Sequence, residues 1–109
     1  MSAVRNRPMP IGGMSYLRIR EAVGNGNAAR GRMILEAIAA RLNEARQKHP
    51  LYAEGPYQAL GVIHSEFREL EKAVEHETES RQMDEALDVV ATAVRFIGEE
   101  HKTERGKQW

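Results

Sequence analysis

The sequence predicts an all-α protein, and three observations carry that prediction. Ala, Glu, Arg, Leu and Lys make up 51 of the 109 residues, close to the half-share that accompanies long helices. Threonine occurs three times and phenylalanine twice, so residues that favour strands are scarce. Apolar residues also recur at helical spacing through three long stretches.

Each element can be justified in chain order. Residues 1–14, with Pro8, Pro10, Gly12 and Gly13, read as a flexible basic N-terminal arm, and 15–109 as a single all-α domain. Ser15 can cap a short helix from Tyr16 to Val23, which Gly24-Asn25-Gly26-Asn27 then interrupts. Asn27 can cap a long helix from about Ala28 to Lys48, where Ile34, Ile38, Leu42 and Ala45 share one face. His49-Pro50 ends it, because the residue before proline is pushed out of the α region. After a loop over 51–55, Pro56 suits the first turn of a helix running to about Glu77. Ser80 is the expected cap of a last helix from Arg81 to about Lys102, with Asp84 and Glu85 near its start and a frayed tail beyond.

Composition excludes several functions. No apolar run reaches the roughly 18 residues of a membrane span, and the start lacks the apolar core of a secretory signal, so the chain reads as cytoplasmic. With no cysteine there are no disulfides, thiolate nucleophiles or cysteine-ligated zinc and iron–sulfur sites. A net charge of zero argues against general nucleic-acid binding. The charge is uneven, however: residues 1–32 carry six Arg and one Glu, and residues 66–100 carry eleven acids and four bases.

The acidic half places carboxylates where burial makes them costly. On a helical wheel Ala59, Val62, Leu70 and Ala73 fall within about 40° of Glu66, so this acid sits inside an apolar arc. Glu69 lies about 60° round, at the edge of the same arc. A carboxylate aimed at a core costs several kcal/mol unless it is paired or holds a cation. The last helix has an apolar arc of about 220° and a narrow polar stripe of Arg81, Asp84, Glu85, Asp88, Thr92, Arg95 and Glu99. Folded as a hairpin about a break near residue 79, Glu69 and Asp88 come level, with Glu66 and Glu85 about one turn away. Glu66, Glu69, Glu85 and Asp88 can therefore converge as candidate metal ligands; the alternative is that the polar stripe of the last helix simply faces water. Hard oxygen donors favour Mg²⁺ or Mn²⁺, and Mg²⁺ bound by few carboxylates commonly shares its shell with substrate phosphates. Arg95, two turns beyond Asp88, is either a phosphate contact or a salt-bridge partner of Glu99 or Asp88.

The pattern Glu66-x-x-Glu69, fifteen residues, then Glu85-x-x-Asp88 resembles the signature of the all-α nucleoside triphosphate pyrophosphohydrolases, the MazG-like superfamily. ALGVIHSEFRELEKAV and DEALDVVATAVRFI are similar to its two metal helices, and the resemblance spans about residues 30–100. It implies an all-helical protein that completes four-helix bundles as a homodimer or homotetramer. It also implies Mg²⁺-dependent hydrolysis of an NTP or dNTP to a nucleoside monophosphate and pyrophosphate. Transferred by position, Glu66, Glu69, Glu85 and Asp88 hold the metal, and Glu66 or Glu69 is the catalytic base. The chain departs from the family pattern at Ser65, where many members carry a second acid. For phosphate contacts near the second metal helix it offers only Arg95, Lys102, Arg105 and Lys107.

Other features point elsewhere with less force. No Glu-x-x-His occurs, which counts against a ferritin-like di-iron site, and His64 points about 160° from Glu66. Tyr52, Tyr57 and Trp109 read as packing or tail rather than base-stacking groups. The loop GNGNAARG has no preceding strand and no Gly-Lys-Ser/Thr ending, so it is not a P-loop. A homo-oligomer is expected independently, since three helices with wide apolar arcs and few aromatics cannot cover one another in a monomer of this size. The competing expectation is a non-catalytic helical oligomer that serves as a protein-interaction module, its acids paired to Arg68, Arg81 and Arg95. Nucleic-acid binding through the basic arm is a third, weaker one.

Overall fold

The computed structural model describes residues 15–102. These form four helices and no strand: α1 (Tyr16–Val23), α2 (Ala28–Lys48), α3 (Pro56–His76) and α4 (Glu79–Ile97). The basic arm read over 1–14 and the tail beyond 102 lie outside the described residues. By backbone contacts the chain divides into two compact units, Met1–Glu36 and Ala37–Trp109.

In the first unit, capping follows the sequence closely. The Arg18 N–H donates to Ser15 Oγ at 3.2 Å and starts α1; the Arg30 N–H donates to Asn27 Oδ1 at 3.0 Å and starts α2. Between them Asn25 and Gly26 take positive φ, 55° and 91°. The glycines flanking this turn serve close backbone approach. A Cβ on Gly31 would lie 1.6 Å from the Arg20 carbonyl oxygen, and one on Gly24 would lie 1.9 Å from that of Asn27.

In the second unit, α3 and α4 pack as an antiparallel hairpin joined by only Glu77 and Thr78. Ala59 and Ala73 of α3 and Ala91 of α4 are buried, side chains small enough to let the helix axes come close. Tyr52 and Ala53 from the preceding loop complete a small core with Ala59, against which Val62 and Phe96 pack. Proline opens α3 as its first helical residue, and the Gly55 N–H donates to the His101 carbonyl at 2.8 Å.

Two boundaries of α4 differ from the sequence expectation. Thr78, not Ser80, caps the helix: its backbone is extended and its side chain accepts from the Arg81 N–H. The helix ends at Ile97 rather than near Lys102, because the chain leaves the α region at Gly98 and Glu99 takes φ 64°. Residues 98–101 then fold back, and the His101 ring stacks on Phe96 with centroids 4.3 Å apart.

Little of the large apolar surface is enclosed. Among the described residues no large side chain is fully buried. Leu60, Phe67 and Val74 recur every seven residues along α3 and are exposed, and so are Met83, Val90 and Ile97 along α4. Among the described residues no helix is long and apolar enough to cross a membrane.

Candidate metal and phosphate site

The second unit contains a cavity of about 540 Å³, walled by the C-terminal half of α2, the 49–52 loop, α3 and α4. Its acidic wall gathers Glu66 from α3 with Glu85 and Asp88 from α4, each offering one carboxylate oxygen within 4.8 Å of the others. The turn at Glu77–Thr78 falls earlier than the break expected near 79. Asp88 meets Glu66 rather than Glu69. Glu69 is exposed and stands outside the converging set, although its negative charge reaches both Glu66 and Glu85.

The electrostatics of this wall are costly. Burial, followed by the charges of Asp88, Glu85 and Glu69, pushes the Glu66 carboxyl above the ordinary range, and His49 only partly offsets this. Glu85, 8% exposed, is pushed up first by burial and then by Asp88, Glu69 and Glu77, against the lowering influence of Arg81. Two arginines compensate. Arg41 of α2 donates to Asp88 Oδ1 at 2.7 Å, to the Asp84 carbonyl at 2.8 Å and to Asp84 Oδ1 at 3.2 Å. Arg81, on the first turn of α4, pairs with Glu77, Asp84 and Glu85. Among the described residues Glu66 is the one member of the acidic triad that makes no ion pair.

Three hard oxygen donors from two helices suit a divalent cation of the Mg²⁺ or Mn²⁺ type. An octahedral ion with bonds near 2.1 Å keeps its ligands about 3 to 4 Å apart, a spacing compatible with oxygens that all lie within 4.8 Å of one another.

The basic residues expected to meet phosphate are placed otherwise. Arg95 reaches the cavity wall but is 3% exposed and fully engaged. It donates to Glu100 Oε1 at 2.6 Å and to the His49 carbonyl at 2.8 Å, and its guanidinium lies 4.9 Å from the Tyr52 ring centroid. The Tyr52 hydroxyl donates to the Thr92 carbonyl at 2.8 Å, so these residues clamp the 49–52 loop onto α4. Glu100 also accepts from Arg46 at 2.7 Å. Burial alone would raise the Glu100 carboxyl, yet the hydrogen bonds from Arg46 and Arg95 outweigh it and hold the group below the ordinary range. Lys102 lies away from the cavity and pairs with Glu99 at 3.2 Å.

Lys48 and His49, together with Arg41, are among the cavity residues that sequence reasoning missed. A signal for Arg41 existed, since it follows Ile34 by seven residues and falls on the apolar stripe of α2, as Glu66 does on α3. Compared with protein-family models, curated proteins and solved structures, the chain matches none.

Proposed function

We propose that this protein is a Mg²⁺- or Mn²⁺-dependent nucleotide pyrophosphohydrolase that acts as a homo-oligomer. The observation that carries the reading is the meeting of Glu66 with Glu85 and Asp88, residues from both halves of the MazG-like motif, on the wall of one cavity. A volume of about 540 Å³ is within the range of small-molecule sites and suits a nucleotide.

In this reading Glu66, Glu85 and Asp88 hold the cation, and Glu69, one turn from Glu66, completes the set when its side chain turns inward. A divalent ion there supplies positive charge to phosphate oxygens and acidifies water. Whichever of Glu66 and Glu69 is not coordinated to the ion would accept the proton of the attacking water. The water oxygen bonds to the α-phosphorus, the α–β bridging bond breaks, and pyrophosphate leaves. Lys48 lines the cavity without an ion pair among the described residues and supplies the phosphate contact expected of Arg95 and Lys102. Oligomerisation covers the two heptad-spaced stripes, Leu60/Phe67/Val74 and Met83/Val90/Ile97, in a four-helix arrangement.

The test is incubation with Mg²⁺ and a panel of NTPs and dNTPs, with Glu66→Gln and Glu69→Gln in parallel and the products identified. Monophosphate plus pyrophosphate, lost in Glu66→Gln, is the expected result. The non-catalytic reading is favoured by one observation, the neutralisation of Glu85 and Asp88 by Arg81 and Arg41. A folded oligomer that turns over no nucleotide and binds no divalent ion would establish that second reading instead.

A further inference from the structure

We infer that Arg41 and Arg81 are exchange cations of the acidic wall: they neutralise Asp88 and Glu85 while no metal is bound, and they are released to phosphate when a divalent ion takes those carboxylates. This rests on the metal-site reading above and deepens it by naming what the metal displaces.

The geometry sets the two roles in competition. Asp88 Oδ1 accepts from Arg41 at 2.7 Å and Glu85 Oε2 accepts from Arg81, and a carboxylate oxygen already paired with a guanidinium is a weaker donor to a metal. A divalent ion held by these carboxylates would sit close to both guanidinium charges, and that repulsion favours release of the arginines. Each arginine has somewhere to go without leaving the cavity that both line. Arg41 keeps two bonds to Asp84, its carbonyl and Oδ1, on which the guanidinium can pivot away from Asp88. Arg81, whose side chain is about half exposed, keeps Glu77 and Asp84.

Charge bookkeeping favours the exchange. Glu44, Glu66, Asp84, Glu85 and Asp88 give the cavity five negative charges, of which Arg41 and Arg81 offset two. A bound divalent ion offsets two more, and an incoming triphosphate then requires cations that can face its oxygens. Guanidinium forks already beside the metal ligands meet phosphate in the bidentate geometry that a lone ammonium lacks.

The test measures Mn²⁺ binding to the full chain without nucleotide, by the electron paramagnetic resonance of free Mn²⁺. Wild type, Arg41→Gln, Arg81→Gln and Lys48→Gln are compared. Lys48→Gln removes an equal charge from the same cavity without freeing a carboxylate. We expect Arg41→Gln and Arg81→Gln each to tighten Mn²⁺ by about tenfold, and Lys48→Gln by no more than about twofold. With Mn²⁺ saturating, pyrophosphate binding measured by calorimetry should weaken about tenfold in both arginine variants. Equal Mn²⁺ affinity in the arginine and lysine variants, or unchanged pyrophosphate binding, overturns the exchange and leaves the metal site standing. Failure of the wild type and every variant to bind Mn²⁺ overturns the metal reading and the exchange with it. Should Arg41→Gln fail to fold, Arg81→Gln decides, because Arg81 lies on an exposed first turn of helix.

Discussion

Arg41 and Asp88 are 47 positions apart in sequence and 2.7 Å apart in space. The contact ties the C-terminal half of α2 to α4 at the level of the acidic wall, and the same guanidinium reaches Asp84. It is therefore both a tertiary strut and the neutraliser of a carboxylate that α4 alone would leave facing its own kind.

Removing one side of this contact should cost more than removing both. In the metal-free protein Asp88→Asn or Arg41→Gln is expected to lower stability by about 1–3 kcal/mol, since each strands a partly buried partner. The double variant should recover part of that loss. Urea denaturation of all four proteins gives the coupling energy, and strictly additive losses would mean the pair is not coupled.

Acidity should act on the metal-free protein in two opposite limbs. Glu66 and Glu85 have carboxyls raised above the ordinary 4.5, so their contribution is fully favourable below that value and is lost as pH rises through their folded values. Glu100 is lowered; its contribution is present above 4.5 and lost as pH falls through its folded value. Thermal melts in chelator between about pH 4 and 8 should show stability rising on mild acidification and then falling. Glu66→Gln should reduce the first limb to the contribution of Glu85 and leave the second.

The same substitution separates stability from binding. Glu66→Gln removes a desolvated, unpaired carboxylate and should make the metal-free protein at least as stable as wild type at neutral pH. Its Mn²⁺ affinity should fall by at least about tenfold, a loss seen even when an outer-shell partner of a metal site is removed. Calorimetry with Mn²⁺ reads the second effect and urea denaturation the first.

Arg95 should prove structural. Arg95→Met leaves the His49 carbonyl without its donor and Glu100 with Arg46 alone, and is expected to cost about 1–3 kcal/mol. Arg95→Lys keeps the charge but not the fork and should recover part of this. Both are read by denaturation, whereas a phosphate-binding role would show mainly as weaker nucleotide affinity in a protein of normal stability.

The exposed stripes give the assembly prediction. Wild type should sediment as at least a dimer at micromolar concentration, and Phe67→Glu combined with Ile97→Glu should dissociate it to a folded monomer. A monomeric wild type would mean that these apolar faces serve something other than a second copy.

Much of this architecture was legible, and the parts that were not share a cause. Ser15, Asn27, His49-Pro50 and Pro56 mark their boundaries by chemistry confined to one or two residues, and the structure follows them closely. Thr78 and Ser80 are both competent caps; the choice between them depends on where the hairpin turns, which the tertiary packing decides. The apolar rhythm of α4 runs into Ile97 and masks Gly98, where the chain turns so that residue 101 can meet Gly55. Glu66 could be singled out because it interrupts an apolar arc, and Arg41 carried the same signal on α2. The role of Arg95 was hidden because two of its partners, the carbonyls of Ala45 and His49, are backbone groups that no side-chain pattern announces.

The two-residue link between α3 and α4 turns the acidic wall into a gauge of chain length. One residue inserted between Thr78 and Glu85 would rotate the later part of α4 by about 100° relative to its cap and carry Glu85 and Asp88 off the cavity side. A longer hairpin preserves their alignment with Glu66 only when both arms grow together, by about one turn each or roughly seven residues in all. Tolerance to insertion and deletion between Glu66 and Asp88 should therefore be periodic rather than graded.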